Sequence, residues 1–211
     1  MLFEVSSAHF IKTIQGHWKT EGRTDYRLVI NHRKKIIHVT GQHSYQYADW
    51  LDNLDFRRRA LENKPEQWFS GRPDIMVHAG FLRQYKAVRS KLLDAAYKYP
   101  DYSIRVDGFS LGASWPQIFV QDILHRWPKR DIQAILYAPG NPWRRLPRNY
   151  RAALERCTTF VTNIYDVVTW MRLVGFKRFG KEVRYGRPWR ILPKQHRPEQ
   201  IIRGLDERKN K

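Results

Sequence analysis

Between Phe81 and Leu124 the hydrophobic period of this chain changes twice, and no other feature restricts its fold as much. Phe81, Tyr85, Val88, Leu92, Ala95 and Tyr99 recur at steps of four and three, which places them on one helix face. Pro100 ends that run, because it lacks the N–H that would continue the helix. Tyr102, Ile104 and Val106 then alternate with Ser103, Arg105 and Asp107, the period of a strand that stops at Gly108. Ile118, Phe119, Ile123 and Leu124 resume a helical stripe. Two more strands are read at residues 132–137 and 158–163, with a Pro/Gly-rich loop and a short helix around residues 150–154 between them. Strands alternating with helices predict an α/β fold, a largely parallel central sheet flanked by helices on both faces. Residues 26–31 (YRLVIN) and 34–40 (KKIIHVT), split by His32 and Arg33, add an N-terminal hairpin.

Two other segments complete the pattern. Tyr47, Trp50, Leu51 and Leu54 fall at i, i+3, i+4 and i+7, the apolar face of an amphipathic helix that must cover something. Residues 57–74 are charged, contain Pro65, Gly71 and Pro73, and read as a surface loop. The 211 residues suit a single domain over 1–211 with a basic C-terminal segment at about 177–211.

Charge narrows the partners. The chain carries 39 Lys+Arg against 20 Asp+Glu, a net +19, and its last 35 residues hold 12 basic and 4 acidic side chains, a net +8. A field of this sign attracts anionic membrane surfaces, nucleic acid or acidic substrates, and the tail reads as a basic face or arm. No apolar stretch approaches the roughly 20 residues of a spanning helix, and the N-terminus lacks the pattern of a secretory leader. With Cys157 as the single cysteine, no disulfide forms within the chain, so an intracellular protein is expected, acting if anywhere at the periphery of a membrane. Cys157 is read as a small core hydrophobe, and no metal or other cofactor is expected.

The stretch VDGFSLGASWP sets Ser110 between Gly108 and Gly112, a G-x-S-x-G pattern lying between a strand and a helix. In that context the turn holds a serine hydroxyl above the end of a sheet. The hydroxyl becomes a nucleophile only if a base takes its proton and an acid orients the base. Of eight histidines only His125 and His196 follow Ser110, and His125 falls inside the helix that Ser110 opens, which leaves His196 as the candidate base. Asp166 lies just past the strand at 158–163, at the carboxyl edge where parallel sheets bind ligands, whereas Asp131 precedes its strand and sits at the wrong edge. Taken singly, Asp166 is an ordinary turn residue and His196 an ordinary loop histidine.

From about residue 26 to residue 202 these segments resemble the class 3 (fungal-type) lipases. IIHVTG is similar to that family's strand into its oxyanion turn, YADWLDNLDF to its lid, VHAGF to its V-H-x-G-F, and KYPDYSIRVDGFSLGAS to its Y-P-x-Y…G-H-S-L-G-G-A. APGNPW and FVTNIYDVV resemble its F-G-x-P-R and V-V-N-x-x-D-x-V. The resemblance implies an α/β-hydrolase-like fold and a serine hydrolase that cleaves carboxylic esters of acyl lipids, of lipase or phospholipase type, without a cofactor. It makes Ser110 the nucleophile, Asp166 the orienting acid and His196 the general base. The oxyanion donors would be the backbone N–H of Leu111 and Gln42, whose backbone N–H is expected to serve, and Tyr47, Trp50, Leu51 and Leu54 would belong to the lid and substrate groove. Phe109 stands where the family has His, Gln42 where it has Ser or Thr, and Thr40 where it has Arg. Trp115-Pro116 predicts a distorted first turn in the helix after Ser110. The alternative reading is a catalytically inactive scaffold of the same fold that binds nucleic acid or another polyanion through its basic surface.

Overall fold

The computed structural model describes residues 4–22, 24–42, 65–67, 75–163, 166, 175–185 and 197–209. Helix α1 (Ser7–Ile14) is followed by strands β1 (Lys19–Glu21), β2 (Thr24–Asn31), β3 (Ile36–Gly41), β4 (Pro65–Gln67) and β5 (Met76–His78). Then come α2 (Ala79–Lys98), β6 (Ser103–Phe109), a 3₁₀ turn (Ser110–Ala113), α3 (Pro116–Arg126), β7 (Ile132–Tyr137), β8 (Trp143–Arg145) and α4 (Arg148–Cys157). The chain ends with β9 (Thr158–Asn163), β10 (Lys181–Tyr185) and α5 (Pro198–Lys209).

Seven strands form the main sheet in the order β1-β2-β3-β6-β7-β9-β10. The run from β3 to β10 is parallel and β2 alone runs against it, antiparallel to both β1 and β3, so the expected parallel sheet and its antiparallel hairpin are both present. Lys35, at φ 50, completes the turn of that hairpin.

Strand alternation sorts the core into two layers. Ala134 and Leu136 of β7 face one cluster, with Ile104 and Val106 of β6 and Ile37 and Val39 of β3. Tyr85, Val88 and Leu92 of α2, Trp115 just before α3, Ile118 and Phe119 of α3, and Leu154 of α4 close over them. Ile135 and Tyr137, the alternate residues of β7, face the other cluster, covered by Phe10 of α1 and Ile201 and Leu205 of α5. One buried charge binds the first layer: Asp122 of α3 accepts from the Tyr85 hydroxyl at 2.8 Å, Arg89 Nε at 2.8 Å and Arg126 Nε at 2.9 Å.

Three sequence readings change. Residues 65–67, inside the segment read as a loop, form β4, which pairs with β5 in a second, three-stranded sheet completed by β8. Strands of three residues are too short to show a period. The basic C-terminal segment is no arm over its described residues, because β10 pairs with β9 and α5 packs against α1 through Ile201 and Leu205. Trp115-Pro116 distorts nothing inside a helix: the chain makes a 3₁₀ turn first and α3 starts at Pro116, where the missing N–H has no partner to lose. The helix read through Tyr47, Trp50, Leu51 and Leu54 lies outside the described residues. Among the described residues, no helix is long and apolar enough to cross a membrane.

Candidate active site

Ser110 is the first residue after β6, at the carboxyl edge of the parallel strands, and it has φ 58. A side chain in the left-handed region costs about 1–3 kcal/mol and persists only where the surroundings enforce it. Here the enforcement is backbone packing. A Cβ on Gly108 would lie 2.1 Å, and one on Gly41 2.0 Å, from the carbonyl oxygen of Gly112; one on Gly112 would lie 2.4 Å from the Gly41 oxygen. The two glycines of the motif therefore let the turn close against the end of β3.

Side chains then pin the turn to the loop after β7. The Ser114 hydroxyl donates to the Ser110 carbonyl at 2.9 Å and accepts from the Gly140 N–H at 2.8 Å, while Gln117 Nε2 donates to the Gly140 carbonyl at 3.0 Å. All three polar side chains or turn residues are buried, so each bond is formed away from water. Neither Ser114 nor Gln117 stands out in the sequence, because their partners lie more than 20 residues away.

Asp166 is fully buried just past β9, and its N–H donates to the Asn163 carbonyl at 3.1 Å. Strand β7 lies between β6 and β9, so Ser110 and Asp166 share one edge with a lateral spacing of two strands, about 10 Å. That spacing leaves room for one imidazole hydrogen-bonded at both ring nitrogens. Burial, and after it the negative charge of Asp166, raises the Tyr185 phenol well above its ordinary pKa, which places the carboxylate beside the end of β10. His196 lies outside the described residues.

The two oxyanion candidates are placed differently. Leu111 occupies the second position of the turn. Gln42 directly follows β3 next to the turn, but its backbone N–H donates to the Asp25 carbonyl at 3.0 Å. A bond of the sheet ladder thus takes the N–H that the sequence assigned to the oxyanion, and the amide side chain of Gln42 is the donor that remains.

Two further ionisable groups near this edge escaped the sequence reading. His78, at the end of β5, is buried, stacked on Phe81 at 4.3 Å and edge-on to Phe176 at 5.2 Å. Burial, helped by the positive charge of Arg83, lowers its pKa to about 4, so the ring is neutral at pH 7. Asp107 is buried on β6 and one of its oxygens meets His38 Nε2 at 2.7 Å and His9 Nε2 at 3.3 Å. His9 Nδ1 in turn lies 2.8 Å from the Tyr137 hydroxyl. Burial alone would raise the Asp107 pKa, but hydrogen bonds from His38, His9 and Thr40 hold it well below the usual carboxylate range. Asp107, three residues before Ser110, and His38 lie within the sheet, and His9 joins α1 to it.

Comparison with known proteins agrees with this fold. The family model described as Lipase (class 3) matches residues 36–175, which include β3, Ser110 and Asp166. No curated protein matches the chain. Among solved structures, the native Rhizomucor miehei lipase propeptide complex is similar over 77% of this chain and 53% of its own, at 20% identity and a TM-score of 0.60. A triacylglycerol lipase whose catalytic centre is described as a serine protease triad matches over 81% and 66%, at 19% and 0.62. The lipase from Rhizopus microsporus var. chinensis matches over 89% and 69%, at 17% and 0.59. At these identities the likeness is one of fold, and the chain spans about half the length of the first of these structures. The family match covers well over half of this chain, and its residues 36–175 hold the strained serine turn and the buried aspartate: the chain belongs to the class 3 lipases.

Proposed function

We propose that this protein is a serine hydrolase that cleaves carboxylic esters of acyl lipids, with Ser110 as nucleophile, Asp166 as orienting acid and His196 as general base. The single observation that carries the reading is Ser110 held at φ 58 on the carboxyl edge, with Asp166 buried two strands away on the same edge. His196 takes the Ser110 proton as the hydroxyl oxygen attacks the ester carbonyl, then returns it to the departing alcohol, leaving an acyl-enzyme. Water, activated by the same imidazole, releases the acid. The negative oxygen of each tetrahedral state is met by the Leu111 N–H and the Gln42 side-chain amide, and removing one such donor costs about 3 kcal/mol of barrier. The net charge of +19 supports action at an anionic, phospholipid-containing surface rather than on neutral fat.

Labelling with a fluorophosphonate followed by peptide mapping tests the nucleophile. Label on Ser110, absent from Ser110→Ala together with ester hydrolysis, is the expected result. A protein that takes no label and binds nucleic acid with a steep salt dependence would instead be an inactive polyanion binder.

A further inference from the structure

The loop that Ser114 grips through Gly140 continues into β8, and there the surface becomes strongly basic. An open groove of about 700 Å³ is lined by Met76, Arg144, Arg145, Gly175 and Lys177. Among the described residues that line it, three are cationic and none is acidic. Arg145 and Lys177, both exposed, have no carboxylate within ion-pair distance among the described residues.

The backbone holds these cations together. Arg145 is paired with Met76 in the small sheet, and Trp143 and Lys177 exchange backbone hydrogen bonds at 3.0 and 2.7 Å. Buried Trp143 anchors that bridge, so Arg145 and Lys177 stand on neighbouring extended segments. Gly175 has φ 80, a backbone conformation that residues with side chains rarely adopt, and the Arg144 guanidinium lies against it.

The groove is also near the nucleophile. Two hydrogen bonds of 2.9 and 2.8 Å link the Ser110 carbonyl to the Gly140 N–H, and four residues of chain add at most about 14 Å to Arg144. Arg144 therefore lies within about 20 Å of Ser110.

We propose that Arg144, Arg145 and Lys177 form a binding site for the phosphate of a phospholipid headgroup, which seats the Ser110 edge on an anionic lipid surface. Two guanidinium forks and an ammonium match the oxygens of a phosphodiester, and the Met76 thioether supplies an apolar wall for the glycerol end. The proposal rests on the acyl-lipid reading above and gives it a located headgroup contact.

The test measures binding in a Ser110→Ala background, so that no lipid is consumed and the result does not depend on catalysis. Flotation with phosphatidylcholine vesicles, with and without phosphatidylglycerol, compares three proteins: the parent, Arg145→Gln/Lys177→Gln, and Arg33→Gln/Lys34→Gln, which removes the same charge from exposed positions of the hairpin turn at the opposite edge. Loss of two surface cations in the groove is expected to weaken binding to the phosphatidylglycerol vesicles roughly tenfold or more, against less than about twofold for the hairpin control. Equal losses in both variants would show attraction by the whole field and overturn the site, as would no loss in either. Full competition by soluble glycerophosphate at matched phosphate concentration would overturn the lipid assignment. Fluorophosphonate labelling of the Ser110-containing protein reports separately on the hydrolase reading.

Discussion

His78 and Asp107 make stability depend on pH from opposite chemical starting points. His78 is neutral in the fold with a pKa lowered to about 4, against about 6.5 when unfolded. The unfolded chain therefore gains a proton that the native chain refuses, and stability falls as pH drops from about 6.5 to 4, by a total of about 3 kcal/mol. Asp107 has a lowered folded pKa, so its contribution is present above the unfolded carboxylate value near 3.8 and is lost as pH falls below it. Urea midpoints measured from pH 7 to pH 4 are expected to decline steadily for the native sequence and to stay nearly flat for His78→Phe. A decline of equal slope in that variant would assign the acid sensitivity to other groups.

Elements are joined here by contacts that leave no slack. Gly112 meets β3 through backbone atoms that no side-chain rotation can move, so Gly112→Ala must push the turn off β3. The expected result is a drop of at least about tenfold in the rate at which Ser110 takes fluorophosphonate, with the far-ultraviolet circular dichroism little changed. A variant labelled at the native rate would show that the tight approach does not position the serine. Between α2 and α3, Asp122 is fully buried and holds Tyr85, Arg89 and Arg126. Asp122→Ala leaves those partners facing a gap and is expected to cost about 3–5 kcal/mol in chemical unfolding. A cost under about 1 kcal/mol would mean that water takes over the carboxylate's place.

For the whole molecule, the net charge of +19 acts at a distance that the site does not. Surface attraction is screened over about 8–10 Å at physiological ionic strength. Hydrolysis of vesicles is therefore expected to rise with their anionic lipid content and to lose that gain as salt is added, while a soluble short-chain ester responds far less. Vesicle hydrolysis indifferent to anionic content would remove recruitment by charge and leave the Ser110 chemistry standing.

What the sequence determined by itself is local. Pro100, the alternation from Tyr102 to Val106 and the two glycines around Ser110 act over a few residues, and β6, the serine turn and α2 were legible for that reason. The hairpin and the strands β7 and β9 carry the same short-range pattern. Edge and three-residue strands do not: β10 pairs on one side only and reads KEVRY, and β4, β5 and β8 have no room for a period. Helix α1 spans eight residues, too few to identify it apart from the sheet that Phe10 and His9 meet. Tertiary structure alone decided which polar groups came together. Asp107 meets His38 across 69 residues because β3 and β6 align in one register, and Arg145 and Lys177 line one groove because buried Trp143 bridges two segments. Register also gave the Gln42 N–H to Asp25. Those outcomes depend on how strands pair over long loops, and no short-range rule of spacing carries that information.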